Sequence, residues 1–101
     1  MENQHKRQGD LLFIKVQSIP KEAKRVKSQI LAYGETTGHK HELVGAPVFA
    51  TGTNLYFPVQ DGGEEVKVVH EEHRTEKFES GFWMLRRQRQ WEGDRSQRVK
   101  D

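Results

Sequence analysis

The sequence predicts a single all-β domain, a small antiparallel barrel or sandwich of roughly six to eight short strands. Three observations lead there. Short apolar runs recur at roughly ten-residue spacing, with glycine turns between them. No helical periodicity is sustained for three turns. Hydrophobic residues make up only 33% of the 101 residues, against 32% charged, so the core is small.

In chain order, Gly9-Asp10 signals a turn, and Leu11 to Val16 behind it reads as a well-buried strand closed by Ile19-Pro20. His5 falls in a basic N-terminal stretch read as floppy, which removes it from any ligand set. Residues 21–28 are too polar and too short for a stable amphipathic helix and read as an exposed loop or a single helical turn. Gln29 to Glu35 is a second short strand, and His39 to Val44 a third. Val48-Phe49-Ala50 is a short run before the turn Thr51–Asn54. Leu55 to Val59 is a strand that Pro58 assigns to a sheet edge. Asp61-Gly62-Gly63 is a hairpin-type turn, and Val66 to His70 follows as a strand. Gly81 to Trp91 is the longest strand candidate. The ordered core spans about residues 8–91, and 92–101 reads as a mobile tail.

Composition excludes several function classes. The chain has no cysteine, so a disulfide scaffold, a thiolate metal site and a cysteine nucleophile are out. No apolar run approaches the roughly 20 residues of a membrane-spanning helix. No signal peptide is recognised at the start, and the expected compartment is the cytoplasm. Phosphate-cradling glycine motifs and a GxSxG elbow are missing. The net charge of +2 resolves into +3 over residues 1–60, -4 over 61–79 and +3 over 80–101. That basic excess is too mild to demand nucleic acid.

The histidines carry the most information. Four of the five lie in two close pairs, His39-Lys40-His41 and His70-Glu71-Glu72-His73. Residues i and i+2 of a strand face one side, so His39 and His41 can aim at one point. A divalent transition metal needs about three or four nitrogen or oxygen donors. His70 and His73 supply the second pair if the chain leaves its strand at Glu71. Glu42, Glu71 and Glu72 are alternative ligands or partners that orient the imidazoles. Zinc is the expected ion, with iron and manganese as alternatives. The spacing of the second pair is not that of the helical zinc-protease motif. The same residues also read as exposed side chains on the wet face of a sheet.

Phe82 to Trp91 interleaves aromatic and basic residues. Its first half reads as core and its second as surface. Arg86, Arg87, Arg89 and Trp91 form a candidate interaction surface for protein or nucleic acid.

Several of these segments together resemble a family of small, largely uncharacterised bacterial and bacteriophage proteins. The resemblance lies in Gln8-Gly9-Asp10, Gly34-Glu35 with Thr37-Gly38-His39-Lys40-His41, the run His70 to His73, and Gly81-Phe82-Trp83 with Arg87 to Trp91. The chain departs from that pattern at Gln90 and in the polar stretch Arg74–Ser80. The resemblance implies a compact β domain and no particular activity. A weaker similarity to a reduced cupin maps metal ligands onto His39, His41 and one of His70 or His73. The leading expectation is therefore a metal-binding β protein, phage-encoded if the resemblance holds. A metal-free interaction module and a cupin-type metal-dependent enzyme are the alternatives. A homodimer is compatible with an edge strand in so small a domain.

Overall fold

The computed structural model describes residues 4–33 and 38–86. Those residues form ten strands in two antiparallel sheets packed face to face, with no helix among them. Of the two architectures expected, the sandwich is the one that forms, and the sheets do not close into a barrel.

The strands are β1 (His5–Gln8), β2 (Leu11–Val16), β3 (Lys24–Val26), β4 (Ile30–Tyr33) and β5 (Lys40–Val44). They continue as β6 (Val48–Ala50), β7 (Asn54–Val59), β8 (Val66–Val69), β9 (Glu76–Phe78) and β10 (Gly81–Arg86). The larger sheet has the order β1-β2-β10-β7-β6-β3, and the smaller one β4-β5-β8-β9. Alternation sets the two faces of each strand. Leu11 and Phe13 of β2, Leu55, Phe57 and Val59 of β7, and Trp83 and Leu85 of β10 point inward from the larger sheet. Leu31, Leu43, Val66, Val68 and Phe78 meet them from the smaller one. Phe78 stands edge-on to Phe13, Phe57 and Trp83 at centroid distances of 5.0, 5.1 and 5.0 Å, which locks the two layers together.

Three strands form where the sequence reading has none. The first is β1, in the stretch read as floppy. A two-residue turn, Gly9-Asp10 with Gly9 at φ +58°, pairs Gln8 with Leu11 and His5 with Ile14. The turn doubles the chain back, so β2 supplies hydrogen-bond partners to a segment of low strand propensity. The second is β3, in the stretch read as a loop or helical turn. It closes the edge of the larger sheet against β6, and its exposed Lys24 and Arg25 suit an edge that must not recruit another strand. The third is β9, inside the polar stretch 74–80. Only Phe78 is buried there, and Glu76 shares its face, so no apolar alternation marks it.

Pro58 needs a finer description than a sheet edge. β7 lies inside its sheet, between β10 and β6. Yet β6 pairs only with Leu55 and Tyr56, so Pro58 faces a strand on one side alone, where it pairs with Phe82. At that position β7 is flanked on one side only, as an edge strand is, which suits a residue without an N–H. The long strand expected over 81–91 runs as β10 to Arg86. Its remainder and the stretch 92–101 lie outside the described residues, as do Gly34 to Thr37.

Candidate functional site

The turn of the β1–β2 hairpin reaches across to the smaller sheet where β5 begins and β8 ends. His39 and His41 come from the first of these, and His70 and His73 from the second. All four imidazoles meet there. The His70 ring lies 5.6 Å from that of His39, 4.3 Å from that of His41 and 4.5 Å from that of His73. His41 and His73 are stacked at 5.9 Å.

The second pair converges because the chain does leave its strand. β8 ends at Val69. His70 Nδ1 then accepts hydrogen bonds from the backbone N–H groups of Glu72 at 3.0 Å and His73 at 3.3 Å. This turn brings His73 back to the side of His70, which an extended strand would forbid. It also settles the proton on the ring. With Nδ1 accepting, a neutral His70 carries its hydrogen on Nε2.

His41 is the anchor of the cluster. It is one of two buried polar side chains among the described residues, and the other, Gln8, is bonded to it. Gln8 Nε2 donates to the carbonyl oxygens of Val68 and Arg74, each at 2.8 Å. Both amide hydrogens are thereby used, and the orientation of the amide is fixed. Its Oε1 sits 2.8 Å from His41 Nδ1. An amide oxygen only accepts, so His41 Nδ1 holds the hydrogen and Nε2 keeps its lone pair. Burial pushes the His41 pKa down to about 4, helped by the neighbouring His70 and His73 and opposed by Asp10 and Glu71. The ring is neutral at physiological pH.

Gly9 makes the close approach possible. A Cβ there would lie 2.7 Å from His73 Nε2 and 3.4 Å from His41 Cε1, and the positive φ already favours glycine. The turn Gln8-Gly9-Asp10 thus holds His41, makes room for His73 and places a carboxylate within electrostatic reach of His41. Sequence reasoning assigned none of the three a role. A two-residue turn is visible in the sequence, but nothing in it shows which distant side chain the turn will touch.

The carboxylates divide. Glu71 Oε1 accepts the backbone N–H of Lys40 at 2.9 Å, pinning the 70–73 turn to the start of β5. That bond, more than any other influence, holds its carboxyl below the usual range. Glu72 Oε1 lies 3.9 Å from His39 Nδ1. Glu42 projects from the opposite face of β5 to His41 and does not approach the cluster. Among the described residues, no three of the His, Asp and Glu side chains are arranged to hold a metal ion. Of the proposed interaction surface, Arg86 ends β10 and is exposed, while Arg87, Arg89 and Trp91 lie outside the described residues.

A model of a protein family matches residues 7–88, from β1 to beyond β10. The chain belongs to that family, a domain of unknown function (DUF8820). The matched stretch contains the whole Gln8–His41–His70–His73 arrangement. No curated protein and no solved structure matches the chain. No helix among the described residues is long and apolar enough to cross a membrane.

Replacing Gln8 by leucine tests the anchor directly. The variant leaves the carbonyls of Val68 and Arg74 and the Nδ1–H of His41 without their partner. We expect a loss of roughly 1–3 kcal/mol in unfolding free energy by urea titration. Nitrogen NMR of the imidazoles should also show His41 as a mixture of tautomers, where the parent chain shows one.

Proposed function

We propose that this domain binds a divalent metal ion of the zinc class through its histidine cluster, with His41 as the fixed ligand. The Gln8–His41 hydrogen bond carries the reading. A ligating imidazole needs a neutral ring, one nitrogen free, and an oxygen acceptor holding the other N–H in place. His41 meets all three conditions before any metal arrives. Three further imidazoles lie within contact of it or of one another. Rings bound to one zinc at about 2.0 Å per Zn–N bond have centroids roughly 5 Å apart, the scale of the spacings in this cluster.

Binding then requires side-chain rotation rather than a new backbone. His73 is exposed and His39 half-buried, so both can turn to complete the donor set. His70 joins through Nε2 only by moving the hydrogen to Nδ1 and giving up its two backbone N–H partners. Otherwise it stays beside the ion as an Nε2–H donor. Glu72 is the nearest carboxylate to His39 and can orient it. A metal bridging β5 and the 70–73 turn would stabilise the folded state by mass action.

The test is elemental analysis of untagged protein after dialysis against zinc, and separately against iron and manganese. One ion per chain, lost on changing His41 to alanine and accompanied by a higher melting temperature, is the expected result. No retained ion of any of the three overturns the reading.

A further inference from the structure

We propose that the outer face of the six-stranded sheet docks a partner protein through a segment that pairs apolar side chains with carboxylates. The inference is independent of the histidine cluster, which lies elsewhere on the sandwich.

The cross-strand registers build the face. One row runs Val16–Phe82–Pro58 across β2, β10 and β7. The next runs Ile14–Met84–Tyr56–Phe49, extending onto β6. Both rows point away from the core, because on the two central strands the residue between them is fully buried, Trp83 on β10 and Phe57 on β7. The outer face of the smaller sheet is built differently. Its rows Ile30–Glu42–Val69, Tyr33–Lys40 and Val44–Lys67–Lys77 include the exposed Tyr33 and Val44, but each is broken by a charge, and Lys67 and Lys77 both lie near Glu65 at 3.9 and 3.2 Å. A solvated sheet face looks like that one. Two contiguous apolar rows on the other sheet mark a face that is meant to be covered.

The margin identifies the chemistry of the cover. Arg7 stands opposite Leu12, Arg25 opposite Phe49, and Arg86 opposite Asn54, all exposed on this face. No outward position of these six strands carries a carboxylate. The partner must therefore bring the acids. A second copy would bring none from this face. Residues 87–101 carry Arg87, Arg89, Arg95, Arg98 and Lys100 against Glu92, Asp94 and Asp101, so this chain's own tail does not complement the margin either. Nucleic acid is disfavoured by the side chains themselves. Stacking needs exposed ring planes, yet Tyr56 is 7% exposed and Phe49 half-buried, which leaves Phe82, at 38%, as the one exposed ring of the two rows. The rest of the two rows is mainly aliphatic, which suits a protein partner.

The experiment uses the full chain, isotopically labelled, titrated with a short synthetic peptide alternating leucine and glutamate. Expected are amide shifts confined to β2, β10 and β7. Binding should weaken about tenfold when lysine replaces glutamate in the peptide, and about tenfold when Phe82 becomes serine. Changing Arg25 and Arg86 to glutamate should abolish the preference for the acidic peptide. Three results overturn the proposal. These are shifts lying elsewhere or absent, an oligothymidylate that binds this face more tightly than the peptide, and a doubled mass by sedimentation that Phe82→Ser reverses.

Discussion

Replacing Trp83 with alanine is expected to remove about 3–5 kcal/mol of unfolding free energy, measured by urea denaturation followed by circular dichroism. Trp83 is fully buried at the middle of β10, the strand that joins β2 to β7. Its ring stands edge-on to Phe78, 5.0 Å away in the opposite sheet, and its Nε1–H donates to the Glu79 carbonyl at 3.0 Å. Truncation therefore empties the largest fully buried side chain from the core and leaves the Glu79 carbonyl without its indole donor. Domains of this size hold only about 5–15 kcal/mol in total, so the variant should be largely unfolded well below the parent's melting temperature. Trp83→Phe separates the two contributions. It keeps most of the packing and forfeits the hydrogen bond, at about 1 kcal/mol beyond the lost volume. A loss of less than about 1 kcal/mol for the alanine variant would mean that the core does not close around β10.

The strands that lie in the sandwich interior were legible because they are short apolar runs. Leu11 to Val16 and Val66 to Val69 are read from the sequence nearly as they form, and Val48 to Ala50 is marked as a short run. Apolar side chains cluster in them with little interruption, and turn residues frame each run. β1, β3 and β9 were not legible, for a common reason. Each is a short strand at a sheet edge, and each owes its conformation to a neighbour rather than to its own side chains. His5–Gln8 is held by the hairpin turn, Lys24–Val26 by β6, and Glu76–Phe78 by β8. These three edge strands are polar, so hydrophobic patterning is blind to them, whereas the apolar edge strand β4 was read from its own residues.

The histidine cluster was half legible. Strand parity brings His39 and His41 to one side, and the condition set for His70 and His73, departure from the strand at Glu71, is met by the turn that His70 Nδ1 caps. What sequence spacing could not give is the asymmetry among the four. His41 is buried and its hydrogen is placed by Gln8, 33 residues away in the chain. His70 is committed to the backbone. Glu42, one residue from His41, belongs to the other face, whereas Glu71 spends its charge on the N–H of Lys40. Adjacency in sequence pointed to the carboxylates, and the partner that matters is an uncharged amide from the opposite sheet.

Lowering the pH of the metal-free chain from 7 to 5 is expected to cost about 2 kcal/mol of stability. In the unfolded chain His41 titrates near 6.5, while in the folded chain it does so near 4. Between these values the unfolded state takes up a proton that the folded state refuses. Stability is therefore complete above about pH 6.5, falls as the pH drops through the window, and levels off below 4. Burial is the main cause, and the positive charge would also face His70 and His73, with Asp10 and Glu71 offering partial compensation. Glu71, with its pKa lowered by the Lys40 N–H, contributes in the same direction only at lower pH. The check is a series of urea titrations across the window in the presence of chelator, run on the parent chain and on His41→Gln, which retains a donor for Gln8 but has no ring to protonate. The variant should be flat where the parent slopes. With zinc added, the parent's slope should steepen, because each ligating imidazole must then lose its metal to gain a proton. A flat parent profile would mean that His41 ionises freely in the folded chain, and the anchor on which the metal site is built would be gone.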